Sequence, residues 1–113
     1  MDITLTEQDD YYVAKFDGVL DESAHESFDE HLHPVVETAD QRLLVDMSGV
    51  PRITSAGIGK LVTLVSRANT KGSIVVLANP SPFVRSILNA TKLTRFFDLE
   101  ETLEAGVSRL RSG

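Results

Sequence analysis

Residues 42–64 read R-L-L-V-D-M-S-G-V-P-R-I-T-S-A-G-I-G-K-L-V-T-L. The run Leu43-Leu44-Val45 is continuously apolar, the pattern of a central strand covered on both faces. It ends at Asp46 and Met47, and Ser48-Gly49-Val50-Pro51 carries turn chemistry. Beyond the turn, Ile58, Leu61, Val62, Val65 and Ala68 recur at helical spacing, with Lys60, Thr63 and Arg67 on the opposite face. The stretch is therefore a buried strand, a turn and a helix. Two hydroxyls, Thr54 and Ser55, stand at the helix entry, followed by the small residues Ala56 and Gly57. A hydroxyl there can cap the free N–H groups. It can also accept a phosphate, which those N–H groups and the positive helix end would favour. Local features alone favour the cap.

On the N-terminal side, residues 3–7 (I-T-L-T-E) alternate apolar and polar, and residues 11–17 (Y-Y-V-A-K-F-D) are strand-prone. The polar break Gln8-Asp9-Asp10 makes these an opening hairpin, with Gly18 ending the second strand. Ser23 and Glu26 fit a capping box for a first helix carrying Phe28, Leu32, Val35 and Val36. Pro34 predicts a kink or an early end there. On the C-terminal side, Asn69-Thr70-Lys71-Gly72 closes the second helix, and Ser73 to Ala78 is another fully apolar strand. Ser81 is a good N-cap with Pro82 at the first helical position, and Val84, Ile87 and Leu88 would face inward. Residues 93–99 predict a short edge strand around Phe96 and Phe97. A last helix uses Leu99, Leu103, Val107 and Leu110, with Glu100, Glu101 and Glu104 near its positive end. The order is β-β-α-β-α-β-α-β-α. It implies an α/β class: a mixed sheet of about five strands, parallel at its centre, with about four helices.

The chain has 113 residues and reads as one domain, 1–113. It has no cysteine, which removes disulfides, thiol nucleophiles and thiolate-bound metal. A net charge of -6 argues against nucleic acid, whose binding needs a basic face. Met1-Asp2-Ile3-Thr4 lacks the basic and apolar regions of a signal peptide. No window approaches the roughly 18 to 20 apolar residues of a membrane helix, so no direct membrane insertion is expected. Gly57-Ile58-Gly59-Lys60 hints at a nucleotide loop, but Leu61 follows the lysine where Ser or Thr is required, and Thr54 replaces the first glycine. Val62 likewise breaks a dinucleotide fingerprint. His25, His31 and His33 lack the spacing of a metal site and read as solvated helix residues, with His25 and Asp29 close enough to pair. Asp17 and Asp46 read as turn and cap residues, Asp21 stays open between that role and a functional one, and Asp21 and Asp46 are expected to gather near Ser55. No enzyme constellation and no cofactor site emerges.

Three blocks together resemble the STAS-domain family, and within it the bacterial anti-sigma factor antagonists. They are Gly18-Val19-Leu20-Asp21; Leu44 to Val50 followed by Ile53 to Gly59; and Ser73 to Ala78 with Ser81 to Leu88. The likeness spans essentially the whole chain, and the middle block is the specific one. It implies a STAS fold and a cytoplasmic, non-catalytic switch. The unphosphorylated antagonist binds an anti-sigma factor that is also a serine kinase. Phosphorylation of a serine at the start of the second helix, here Ser55, releases the complex, and a serine phosphatase reverses it. Thr54 stands where the family often has Asp, which makes it a second candidate acceptor; Val19 replaces a common acidic residue. The resemblance implies partner contacts at Asp21, Thr54, Ser55, Ala56, Gly57, Ile58 and Lys60. The alternative it leaves is an unswitched STAS subunit of a membrane transport complex or a sensory scaffold. Oligomeric state is not readable.

Overall fold

The two apolar runs form adjacent inner strands of a five-stranded sheet. The computed structural model describes residues 1–93 and 96–112. Its strands are β1 (Asp2–Glu7), β2 (Tyr12–Asp17), β3 (Arg42–Gly49), β4 (Ile74–Ala78) and β5 (Asp98–Glu100), ordered β1-β2-β3-β4-β5. β1 and β2 are antiparallel, with Ile3 opposite Phe16. The remaining pairs are parallel, placing Val13 beside Leu44, Leu44 beside Val76, and Val76 beside Asp98. Three helical segments connect them, α1 (22–36), α2 (Ser55–Thr70) and α3 (Pro82–Ala90), and α4 (Leu103–Ser112) follows β5.

Both faces of the inner strands are covered, which explains their unbroken apolar character. Leu43, Val45, Met47, Val75 and Leu77 face the main core. That core is completed by Phe28 and Leu32 of α1, Leu61 and Leu64 of α2, and Val84 and Leu88 of α3. Their alternate neighbours Leu44, Val76 and Ala78 face the other side, where Leu110 and Val107 of α4 cover them. Gly106 lets α4 approach closely: a Cβ there would lie 2.6 Å from Leu44 Cδ1 and 3.0 Å from Ala78 Cβ.

Several local expectations are corrected. Asp21, not Ser23, caps the first helix. Its Oδ1 accepts the Ser23 amide at 2.9 Å and the Ser23 hydroxyl at 2.5 Å. The stronger, charged acceptor thus takes the capping role and turns the serine into a donor. Pro34 does not end α1, which runs on to Val36. The adjustment lies just upstream, where Phe28–Leu32 form a π-helical turn and the His33 amide reaches back to the Phe28 carbonyl. A proline cannot donate to the carbonyl four residues before it, and the wider turn accommodates the loss. Ser48 and Gly49 belong to β3 rather than to the turn. The edge strand is Asp98–Glu100, not the Phe96–Phe97 pair. The amides of Phe96 and Phe97 both return to the Leu93 carbonyl, and Phe97 is buried in the main core. Thr94 and Arg95, part of that expected strand, lie outside the described residues. Leu99 lies in β5, and Leu103 is exposed, so α4 is held by Gly106 and Leu110 with Val107.

Candidate functional site

The start of α2 separates the two hydroxyls. Thr54 is extended (φ -99°, ψ 171°), and its Oγ1 accepts the Gly57 amide at 3.2 Å. Thr54 is therefore the N-cap. Ser55 is the first helical residue and is exposed, and its hydroxyl makes no side-chain hydrogen bond among the described residues. A free hydroxyl beside unpaired helix amides is chemically suited to carry a phosphate.

A short parallel bridge locks this corner in place. The Leu20 amide donates to Arg52 O and the Thr54 amide to Leu20 O, both at 3.0 Å, pairing Leu20 with Ile53. The bridge holds Asp21, the residue after Leu20, beside the helix entry. Hydrogen bonds from the Ser23 hydroxyl and amide hold the Asp21 carboxyl below the usual carboxylate range. It is an anion at neutral pH.

The other expected contact residues differ in access. Ala56 is exposed. Gly57 is buried against the Leu20 carbonyl, which a Cβ at this position would overlap. Ile58 is half-buried and packs on the main core, and Lys60 is half-buried. Asp46 does not gather with Asp21. It lies on the sheet face opposite Met47, is buried, and accepts the Ser48 amide at 3.0 Å with Lys15 3.9 Å away.

A groove of about 390 Å³ runs from this corner between α1 and α2. Ala56, Gly59, Lys60, Thr63 and Arg67 line it from α2. From α1 come His25, Phe28, Asp29 and His33. Lys60 Nζ lies 3.2 Å from His25 Nδ1, and His25 Nε2 lies 3.1 Å from Asp29 Oδ2. An ammonium can only donate, so Nδ1 accepts and Nε2 carries the proton toward Asp29. His33 is not solvated as its sequence context predicts. It is 7% exposed, its ring lies 6.2 Å from that of Phe28, and its Nδ1 has no hydrogen-bond partner. Burial pushes its pKa below the usual 6.5, reinforced by Arg67 and opposed by Asp29. The α1–α2 juxtaposition was not legible in sequence, because Lys60 and His25 are 35 residues apart. Among the described residues no group of three or more His, Asp or Glu is placed to hold a metal ion.

A family model of the STAS domain matches residues 2–106. This chain belongs to the STAS domain family. This STAS domain is 20% identical over 112 residues to BtrV of Bordetella bronchiseptica, named as an anti-sigma factor antagonist, covering 99% of this chain and 97% of BtrV. An anti-sigma factor antagonist from Mycobacterium paratuberculosis superposes with a TM-score of 0.84 at 20% identity, over 97% of this chain and 93% of that one. The anti-sigma factor antagonist SpoIIAA in its unphosphorylated form superposes with a TM-score of 0.79 at 20% identity, over 99% and 98%. This STAS domain therefore shares its fold with those two solved structures. Among its described residues no helix is long and apolar enough to cross a membrane.

Proposed function

We propose that this STAS domain is an anti-sigma factor antagonist switched by phosphorylation of Ser55. One observation carries the reading. Thr54 does the capping, so Ser55 is left exposed at the helix entry with no structural duty. The names of its relatives support the class of partner. In this reading the unmodified domain, in the cytoplasm, binds an anti-sigma factor that is also a serine kinase, and so frees a sigma factor. The contact surface is the corner built from Asp21, Thr54, Ser55 and Ala56, continuing along Ile58 and Lys60. The buried Gly57 shapes that surface from beneath. Phosphate on Ser55 adds roughly -1.5 to -2 charges at neutral pH. A dianion in a packed interface must be desolvated and repels any acid opposite, so the complex dissociates. A serine phosphatase restores the binding form. The domain itself performs no catalysis.

The test is incubation with the co-encoded kinase and ATP, followed by mass spectrometry and binding measurements. Phosphate is expected on Ser55. Ser55→Ala should stay bound and Ser55→Asp should bind at least tenfold more weakly. Modification at Thr54 alone, or equal affinities for the two variants, rejects the switch. Co-purification with a membrane transport complex in place of a kinase would establish the unswitched subunit reading instead.

A further inference from the structure

Two glycines begin α2, and only one has an internal reason to be glycine. Gly57 sits under the Leu20 carbonyl, whereas a Cβ on Gly59 would meet nothing within 4 Å. A glycine inside a helix destabilises it relative to alanine. Gly59 is exposed, bears no packing constraint, and opens directly onto the groove between α1 and α2. Its missing side chain is what leaves that space free.

The groove also holds a cation without an acid. Lys60 is half-buried, and its ammonium lies against His25 Nδ1 with no carboxylate partner among the described residues. The other cation of the wall, Arg67, pairs with Glu37 at 3.2 Å. The one acid of the wall, Asp29, already faces His25 and His33 through its two oxygens. A visiting anion therefore meets one ammonium with no carboxylate in direct contact, Lys60, while the carboxylate of Asp29 lies on the far side of the His25 ring. A second negative charge on it would face Asp29. Ala56 and Gly59 offer carbon surface beside the cation, and the volume falls within the range of small-molecule sites.

We infer that this groove binds a small monoanionic carboxylate, its charge on Lys60 and its apolar part in the space left by Gly59. The inference does not depend on phosphorylation of Ser55 or on any protein partner. Its occupant would nevertheless lie against the first turns of α2, beside the proposed switch.

The test is an amide chemical-shift titration of the isotope-labelled full chain at constant ionic strength. The probes are benzoate, acetate and inorganic phosphate. Benzoate is expected to give saturable shifts at Gly59, Lys60 and Thr63, acetate weaker ones, and phosphate the weakest. Lys60→Gln and Gly59→Leu should each weaken benzoate at least tenfold, the first by removing the charge and the second by filling the space. Because a side chain at Gly59 starts in open space, Gly59→Leu should unfold no earlier than the parent, so lost binding would report on the groove. No saturable shift with benzoate overturns the inference, as does unchanged binding by Gly59→Leu. Binding of an acidic peptide with no binding of the free carboxylates also overturns it and makes the groove a protein-docking site.

Discussion

Thr54 Oγ1 accepts the amide hydrogen of Gly57 across 3.2 Å, so the residue before Ser55 closes the helix start. The two adjacent hydroxyls thus have different energetic weight. Thr54→Ala should destabilise the domain by about 1 kcal/mol, the usual loss of an N-cap. Ser55→Ala should stay within about 0.5 kcal/mol of the parent, as for an exposed site. Ser55→Asp should be equal or slightly more stable, because a negative charge suits the helix N-terminus. Urea denaturation with a constant slope checks all three. A Ser55→Ala loss as large as that of Thr54→Ala would mean that Ser55 shares the capping.

Gly57 and Gly59 should respond to alanine with opposite signs. At Gly57 the new methyl overlaps the Leu20 carbonyl, which is backbone and tied to Thr54. Overpacking of this kind typically destabilises by about 1–3 kcal/mol. At Gly59 the methyl enters open space, and the helix gains about 0.5–1 kcal/mol. Thermal unfolding of the two variants should show one melting temperature lower and one higher than the parent.

His33 should make the domain sensitive to mild acid. Its folded pKa lies below the ordinary 6.5, because burial disfavours the imidazolium. Between the folded and unfolded values the unfolded chain binds more protons, so stability rises with pH in that window. The contribution is fully present above pH 6.5 and is lost progressively as pH falls from there toward the folded value. His33→Gln removes the titration while His25 and His31 remain. Its stability, measured by denaturant between about pH 7.5 and about pH 5, should therefore fall less steeply than that of the parent. Parallel profiles would show that His33 stays solvated.

Gly106 sets how closely α4 approaches the sheet. Gly106→Ala would place its methyl 2.6 Å from Leu44 Cδ1 and should cost about 1–3 kcal/mol. Leu44→Ala alone leaves a cavity and costs about 2–5 kcal/mol. The double variant should be less destabilised than the sum, because the new methyl occupies part of the vacated space. Strict additivity in a double-mutant cycle would refute this account of the contact.

The legible parts of this protein were those governed by local chemistry. The runs Leu43-Leu44-Val45 and Ser73 to Ala78, the latter forming a strand from Ile74, announced inner strands because residues buried on both faces cannot alternate with polar ones. Ser81 and Pro82 announced a helix start, and Ser81 Oγ does accept the Val84 amide at 3.3 Å. Ser23 misled, because an acidic neighbour two residues earlier took the cap. Phe96 and Phe97 misled as well. Their strand propensity yielded to two amide bonds to Leu93 and to burial of Phe97.

By itself the sequence determined the order of strands and helices, the mixed α/β class, and the pair of hydroxyls at the head of α2. Each of these follows from periodicity and from which residues satisfy free backbone groups nearby. Only the tertiary structure decided which hydroxyl is occupied, which of two glycines is packed, and which histidine is buried. Those outcomes depend on Leu20 and on the facing wall of α1, brought beside α2 by the sheet. Contacts between segments tens of residues apart leave no local signature, because chain folding creates the proximity that gives them their energy.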